Sequence, residues 1–213
     1  MFEGDKVSRL SCNKPVGVRL KESFYQRLRV DSIAKDLLGK VLVSSFNNSL
    51  TSGIIVETEA YSYKERGCHA YNNLRTTRTE TLFGEGGIMY VYLCYGIHNM
   101  FNVVTNRKNK AEAVLIRALE PLRGKELMMK RTSARDVHRI TSGPGKLTKA
   151  LGIGRAMDGE KLTGNEIWIE DPGTKIARNK IVVTNRIGID YAGEDALLPW
   201  RFYLKDNPWI SRP

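Results

Sequence analysis

Long apolar runs are missing from this chain. No stretch approaches a membrane-spanning helix and no lysine-rich amphipathic anchor stands out, so a membrane is not an expected partner. Cysteine is scarce: Cys12, Cys68 and Cys94 are odd in number and form no C-x-x-C pair, which argues against a disulfide framework or a zinc ribbon and suits a reducing compartment. The three histidines, His69, His98 and His138, have no metal-ligand spacing to a cysteine or to one another, so neither a metal nor another cofactor is expected. A proline-rich linker, an internal repeat and a low-complexity run are absent too, and residues 1–213 are expected to form one domain, monomeric for lack of any oligomerisation signature. The first residues lack the apolar run of a secretory signal, which places the protein in the cytoplasm or with the chromosome, in a nucleoid or a nucleus, rather than outside the cell.

Positive charge is abundant. Lys plus Arg number 34 against 23 for Asp plus Glu, a net charge of +11, which favours polyanionic partners and nucleic acid first among them. With 41% apolar residues in 213, a sizeable core is within reach. One stretch joins the two themes: Gly53-Ile54-Ile55-Val56-Glu57-Thr58-Glu59-Ala60-Tyr61 runs from strand formers into two carboxylates and an aromatic ring. Strict alternation puts Ile55, Glu57, Glu59 and Tyr61 on one face, and Ile54, Val56, Thr58 and Ala60 on the inward one. The first face reads either as the wall of a site or as an edge strand with two solvated glutamates.

Taken in order, residues 1–20 show no periodicity and look like a tail laid on the body or partly disordered. Ser23 to Leu38 has near-helical spacing of Phe24, Leu28, Ile33, Leu37 and Leu38, which predicts a short helix pair with Asp31 capping the second piece and Gly39 ending it. Val41 to Val43 and Ser52 to Tyr61 read as strands joined by a turn at Asn47-Asn48-Ser49. Lys64 to Thr81, with Lys64, Arg66, Arg75 and Arg78 among Tyr63, His69 and Tyr71, is a loop that faces a charged ligand or is simply solvated. Ile88 to Cys94 alternates in period two, with Tyr90 and Tyr92 on one face, and Ile97 to Thr105 is its hairpin partner. The turn between them carries Tyr95. An aromatic ring there suits either a wedge in a base stack or burial against a neighbouring element.

Arg117 interrupts the apolar strand Glu112 to Leu119, and burying it demands an acidic partner, for which Glu57 or Glu59 is the natural choice. Pro121 to Arg135 is expected to be a helix with Leu122, Met128 and Met129 on its buried side. Thr141 to Lys146 opens another helix of about eight residues, where small residues and a proline leave amides free; Gly143 and Lys146 there suit a phosphate, or mark an ordinary helix start. The G-x-x-x-x-G-K-[ST] spacing is missing. Glu166 to Glu170, Ile181 to Thr184 and Trp200 to Leu204 complete the strands.

Val56-Glu57-Thr58-Glu59-Ala60-Tyr61, Cys68-His69-Ala70, Gly87 to Gly96, Asn102-Val103-Val104, Leu115 to Pro121, Ser142-Gly143-Pro144 and Arg201-Phe202-Tyr203, in that order, resemble the alkyladenine DNA glycosylases, also called methylpurine or 3-methyladenine DNA glycosylases. The resemblance runs from near Leu37 to Trp209. It implies a mixed α/β (α+β) single domain around a curved antiparallel sheet flanked by helices, with a protruding β-hairpin that enters DNA. It also implies an activity on double-stranded DNA containing damaged purines: the purine is flipped out and its N-glycosidic bond hydrolysed, leaving an abasic site. On that resemblance Glu59 is the general base that activates water, and Arg117 helps hold the water and the flipped nucleotide. Tyr61, His69 and Tyr92 match the aromatic walls around the base, Asn102 the residue that discourages guanine, Tyr95 the wedge, and Ile187 a backbone position beside the water. Glu57 has no catalytic role in the family and reads as structural.

This chain departs from the better-known members in its basic Lys64-Glu65-Arg66 and in Asp190, which falls close to the pocket. A bifunctional glycosylase would need a lysine nucleophile, and the matched motifs hold none. A non-catalytic binder of damaged or structured DNA explains the charge, the aromatics and the wedge but has no need of Glu59. A sugar hydrolase using Glu57 and Glu59 as a pair is disfavoured, because two neighbours on one strand cannot easily flank a bond.

Overall fold

A computed structural model describes residues 15–213, so Cys12 and positions 1–14 of the expected tail lie outside the described residues. The end of that tail is not loose: Val18–Arg19 (β1) pairs with a strand far along the chain. Two helices follow, Glu22–Tyr25 (α1) and Val30–Leu37 (α2). In α2 the buried residues Val30, Ile33, Ala34 and Leu37 recur at i, i+3, i+4 and i+7, the spacing that gathers apolar groups on one face. Asp31 is not the cap expected of it. The helix starts one residue earlier without a side-chain cap, and Asp31 sits in the first turn, paired with Arg29 and Lys35. Leu28 falls in the break between the helices and is 68% exposed instead of buried.

Val41–Phe46 (β2) and Ser49–Ser62 (β3) form a hairpin through Asn47 and Asn48, whose φ values of 50° and 60° suit a tight turn that follows the sheet's right-handed twist. Met89–Cys94 (β4) and His98–Thr105 (β5) form the second hairpin, and Glu112–Arg123 (β6) lies beside β5. This last strand corrects an expectation. Pro121 and Leu122 belong to it and not to a helix, since the ladder continues to Ser52↔Arg123. The helix, Lys125–Thr132 (α3), begins only after Gly124 turns the chain at φ +71°, where a Cβ would lie 2.6 Å from the Leu50 carbonyl oxygen. Pro144–Leu151 (α4) is the expected eight-residue helix, with proline in its first turn. Ile167–Asp171 (β7), Ile181–Thr184 (β8) and Arg201–Leu204 (β9) follow.

All pairings are antiparallel, in the order β1-β7-β2-β3-β6-β5-β4, with β9 joining β3 at Glu57–Glu59 and β8 beside β9. The main core lies where α2, α3 and α4 cover the sheet; Val41, Val43 and Trp168 form a smaller cluster of their own. No described helix is long and apolar enough to cross a membrane.

The edge-strand reading of β3 fails, because β2 and β9 pair with one side of it and β6 with the other. Strict alternation fails as well. The ladder with β6 steps from Ile55↔Leu119 to Glu57↔Ala118 to Thr58↔Ile116, leaving Val56 and then Arg117 as unpaired extra residues. Ile55 and Val56 consequently both enter the main core, and Arg117 is turned toward the carboxylates of β3. Glu57, with no exposed surface, joins three segments: Oε1 accepts from Arg117 Nε (3.0 Å), Arg201 Nε (2.8 Å) and Ser211 Oγ (2.8 Å), and Oε2 accepts from the Ser211 amide (2.6 Å). Its structural reading therefore holds. Replacing Glu57 by Ala strands the buried guanidinium of Arg201 and leaves Arg117 with Glu59 alone, and is expected to lower unfolding stability by about 3–5 kcal/mol, against about 1 kcal/mol or less for an exposed pair. Urea titration measures the difference, and a loss in the exposed-pair range contradicts the role assigned to Glu57.

Candidate active site

Glu59 is the next residue along β3 on the same side. It too is completely buried, and three donors meet its carboxylate: Tyr61 Oη (2.8 Å) and Arg117 Nη1 (3.1 Å) on Oε2, and the Ile187 amide (2.7 Å) on Oε1. A carboxylate has about four lone-pair directions, so Oε1 keeps one for a further donor. Burial works against the charge of Arg117, but Glu59 and then Glu57 more than offset it and raise the guanidinium pKa. The Tyr61 hydroxyl is held well above its ordinary value, by burial first and then by the charge of Glu59 and the hydrogen bond to it, so it stays protonated and donates.

Beside this cluster opens a cavity of about 510 Å³; Glu59 does not line it, but its three partners Tyr61, Arg117 and Ile187 do. Tyr61, His69, Tyr92, Asn102, Arg117 and Ile187 all line it, so six of the residues singled out in the sequence converge on one space. Tyr95 lines its rim from the hairpin tip. It is 89% exposed at φ +49°, which removes the alternative that its ring is buried, and Leu93 and Ile97 beside it are exposed as well. Asn102 is buried, with Nδ2 donating to the carbonyls of Tyr90 (3.1 Å) and Met100 (3.4 Å), so its amide is fixed in place. Gly143 and Lys146 are not part of this wall: Pro144 between them is, while Lys146 faces a separate groove with Arg135, Arg139 and Lys149. Asp190 is exposed, and the cavity is lined by its neighbours Ile189 and Tyr191.

Three contributors were given no individual site role from the sequence, although Arg78 lies in the loop read as facing a charged ligand. Arg78 Nη2 lies 3.1 Å from His69 Nε2, and its guanidinium sits over the Tyr92 ring at 5.3 Å. Tyr90 Oη lies 3.0 Å from His69 Nδ1. Arginine can only donate, so Nε2 accepts and the imidazole proton resides on Nδ1, donated to Tyr90. Burial, with the charge of Arg78 adding to it, pushes the His69 pKa down to about 4, which keeps the ring neutral near pH 7. His69 meets Tyr92 edge-on, with centroids 4.6 Å apart, so these two rings form one wall of the cavity rather than two. Tyr90 was legible from its shared face with Tyr92. Arg78 and Arg186, the third, sit in irregular segments with no periodicity to place them. Among the described residues no group of three or more His, Cys, Asp or Glu is arranged to hold a metal ion.

A sequence profile of the family described as "Methylpurine-DNA glycosylase (MPG)" matches residues 23–208. A protein of Alkaliphilus oremlandii is 44% identical over 204 residues, covering 92% of this chain and 100% of its own length. One from Carboxydothermus hydrogenoformans is 47% identical over 193 residues (91% and 98%), and one from Methanocella arvoryzae 46% over 197 residues (91% and 96%). All three are provisionally named 3-methyladenine DNA glycosylase.

The His69 arrangement has a direct readout. Its imidazole is expected to titrate by NMR with a midpoint of about 4, and Arg78→Gln is expected to move that midpoint upward, toward the ordinary value of about 6.5. Between those values the unfolded chain binds a proton that the folded chain does not, so this residue's contribution to stability falls as pH is lowered through the window. A midpoint near 6.5 in the unmodified protein contradicts the assignment.

Proposed function

This chain belongs to the methylpurine-DNA glycosylase family, and on that premise we propose that it is a monomeric DNA-repair enzyme that hydrolyses the N-glycosidic bond of damaged purines. The observation that carries the mechanism is the Glu59 carboxylate, buried and held by three donors, Tyr61, Arg117 and Ile187, each of which lines the aromatic cavity. Cleaving the bond develops positive charge on the deoxyribose. A carboxylate at that place both accepts a proton from the attacking water and favours the oxocarbenium-like state. Arg117 pairs with Glu59 and fixes its orientation.

The cavity gives a reason for flipping, since the reacting carbon cannot be reached inside a duplex. An extruded purine stacks between Tyr61 on one side and the His69–Tyr92 pair on the other, and electron-rich rings suit the cationic alkylated purines. Asn102, fixed by two carbonyls, cannot turn away from the exocyclic amino group of guanine and so excludes it sterically. Tyr95, with Leu93 and Ile97, fills the gap left in the stack. No lysine lines the cavity, which supports hydrolysis by water over a Schiff-base lyase. The net charge of +11 supplies the attraction to phosphates, to which Gly143 and Lys146 at the start of α4 contribute. Such an enzyme works where the chromosome is.

Incubation with duplex DNA carrying one hypoxanthine or ethenoadenine, or with methylated DNA, followed by alkali cleavage, scores the abasic product. Glu59→Gln is expected to slow release by roughly 10²–10⁴-fold, the range for loss of a general base. Absence of release from every lesion by the unmodified protein would leave a DNA binder and no enzyme, and a fully active Glu59→Gln would remove the assigned base. Borohydride is expected to trap no covalent adduct. Tyr95→Ser is expected to weaken binding to the damaged duplex with melting temperature unchanged, and equal affinity refutes the wedge.

A further inference from the structure

Arg186 and Glu65 form the most enclosed ion pair among the described residues, with side-chain exposures of 0% and 3%. The bonds are bidentate: Arg186 Nη1 donates to Glu65 Oε1 (2.8 Å) and Nη2 to Oε2 (2.7 Å). Neither residue lines the cavity, and neither touches Glu59 through its side chain. A buried pair of this kind is weak as a stabiliser, because desolvation offsets most of the attraction and apolar replacements of similar volume do as well. Its geometric consequences are larger.

The pair ties together segments that carry the cavity residues Tyr61, Gly67 and Ile187. Arg186 Nη1 also donates to the Ala60 carbonyl (3.0 Å), one residue from Glu59, and Nη2 to the Asp195 carbonyl (3.0 Å). Glu65 Oε2 accepts from the amide of Gly67 (2.7 Å), a cavity residue, and Oε1 from the amide of Ser62 (3.3 Å). The guanidinium lies 4.7 Å from the centroid of the Tyr61 ring and 5.4 Å from that of Trp200. With the side chain fixed at this many points, the peptide joining Arg186 to Ile187 has one orientation, and its N–H is the donor that reaches Glu59 Oε1 at 2.7 Å. Ile187 follows directly on Arg186 in an irregular segment, so the anchoring of Arg186 passes to that amide.

We propose that the Arg186–Glu65 pair is a positioning unit for the reaction: it aims the Ile187 amide at Glu59 and seats the Tyr61 ring, and it takes no proton and touches no substrate. This rests on the reading of Glu59 as the base. Removing either charge alone leaves the other buried and unpaired and invites unfolding, so the informative variant is the double replacement Glu65→Leu with Arg186→Met, which keeps volume and removes both charges.

The measurements are melting temperature, affinity for an ethenoadenine duplex in the cold before turnover, and single-turnover release at saturating enzyme, each with and without Glu59→Gln. The expected result is a release rate down about a hundredfold, the scale of an ångström-sized misplacement, with affinity within about threefold of the parent. On the Glu59→Gln background the double replacement is expected to cause little further loss, because both act through one group. A folded double variant that releases base at the parent rate overturns the proposal, and so does an equal loss on both backgrounds. If Glu59→Gln alone proves fully active, the base reading fails first and the positioning claim falls with it; if Glu59→Gln is inactive and the double variant is not, only the positioning claim falls. Should the double variant fail to fold, Gly67→Ala serves: its Cβ would lie 2.8 Å from Glu65 Oε2 and 3.2 Å from Arg186 Nη2, displacing the pair with both charges retained. An unchanged release rate there overturns the proposal equally.

Discussion

Two carboxylates two residues apart on a central strand, both without exposed surface, are tolerable only because one guanidinium reaches both. Arg117 donates from Nε to Glu57 and from Nη1 to Glu59, and the two glutamates then divide in what else they bind. Glu57 is filled by Arg201 and by both polar groups of Ser211, so it welds β9 and the end of the chain to the sheet. Glu59 receives Tyr61 and the Ile187 amide and keeps a vacant lone pair. Residue type does not distinguish the two acids here. The total number of donors does, four on Glu57 against three on Glu59.

That division depends on the sheet being irregular where it matters. Were β3 and β6 in perfect register, Arg117 would sit in the ladder with a fixed cross-strand partner. Two successive one-residue offsets, first at Val56 and then at Arg117, bend the pairing and let the guanidinium project toward the acids. Paired offsets also restore the register beyond them, so Thr58 to Ser62 continues as an ordinary strand that brings Tyr61 to the cavity wall and Glu59 behind it.

The period-two pattern at Ile88 to Cys94, the Asn47-Asn48 turn and the demand of Arg117 for an acid were legible because each is a local rule. The offsets were not, since they belong to the pairing of two strands about 60 positions apart along the chain. Pro121 and Leu122 were misread for a related reason. Proline next to apolar residues suits a helix start, yet the ladder with β3 holds them extended until Gly124. Of the site, the aromatic walls and Glu59 were visible through motif resemblance, whereas Arg78, Arg186 and Glu65 work through long-range contacts in irregular segments, where spacing carries no information.

Charge is arranged differently inside and outside. Around the two β3 carboxylates Glu57, Glu59 and Glu65 face Arg117, Arg186 and Arg201, three against three. Adding the other buried charged residues, Glu112 and Glu170, makes the described interior slightly acidic, so among the described residues the positive excess resides in ones that are not buried. Surface charge is screened over about 8–10 Å at ordinary ionic strength, while pairs sealed from solvent are screened far less. Salt therefore acts on the encounter with a polyanion and leaves the geometry around Glu59 alone. A locally balanced centre also avoids a dilemma: a basic cavity would draw in phosphate but oppose the cationic character that glycosidic cleavage develops. Placing the excess on the outside and balancing charge at the centre separates the attraction of a polyanion from the electrostatics around Glu59.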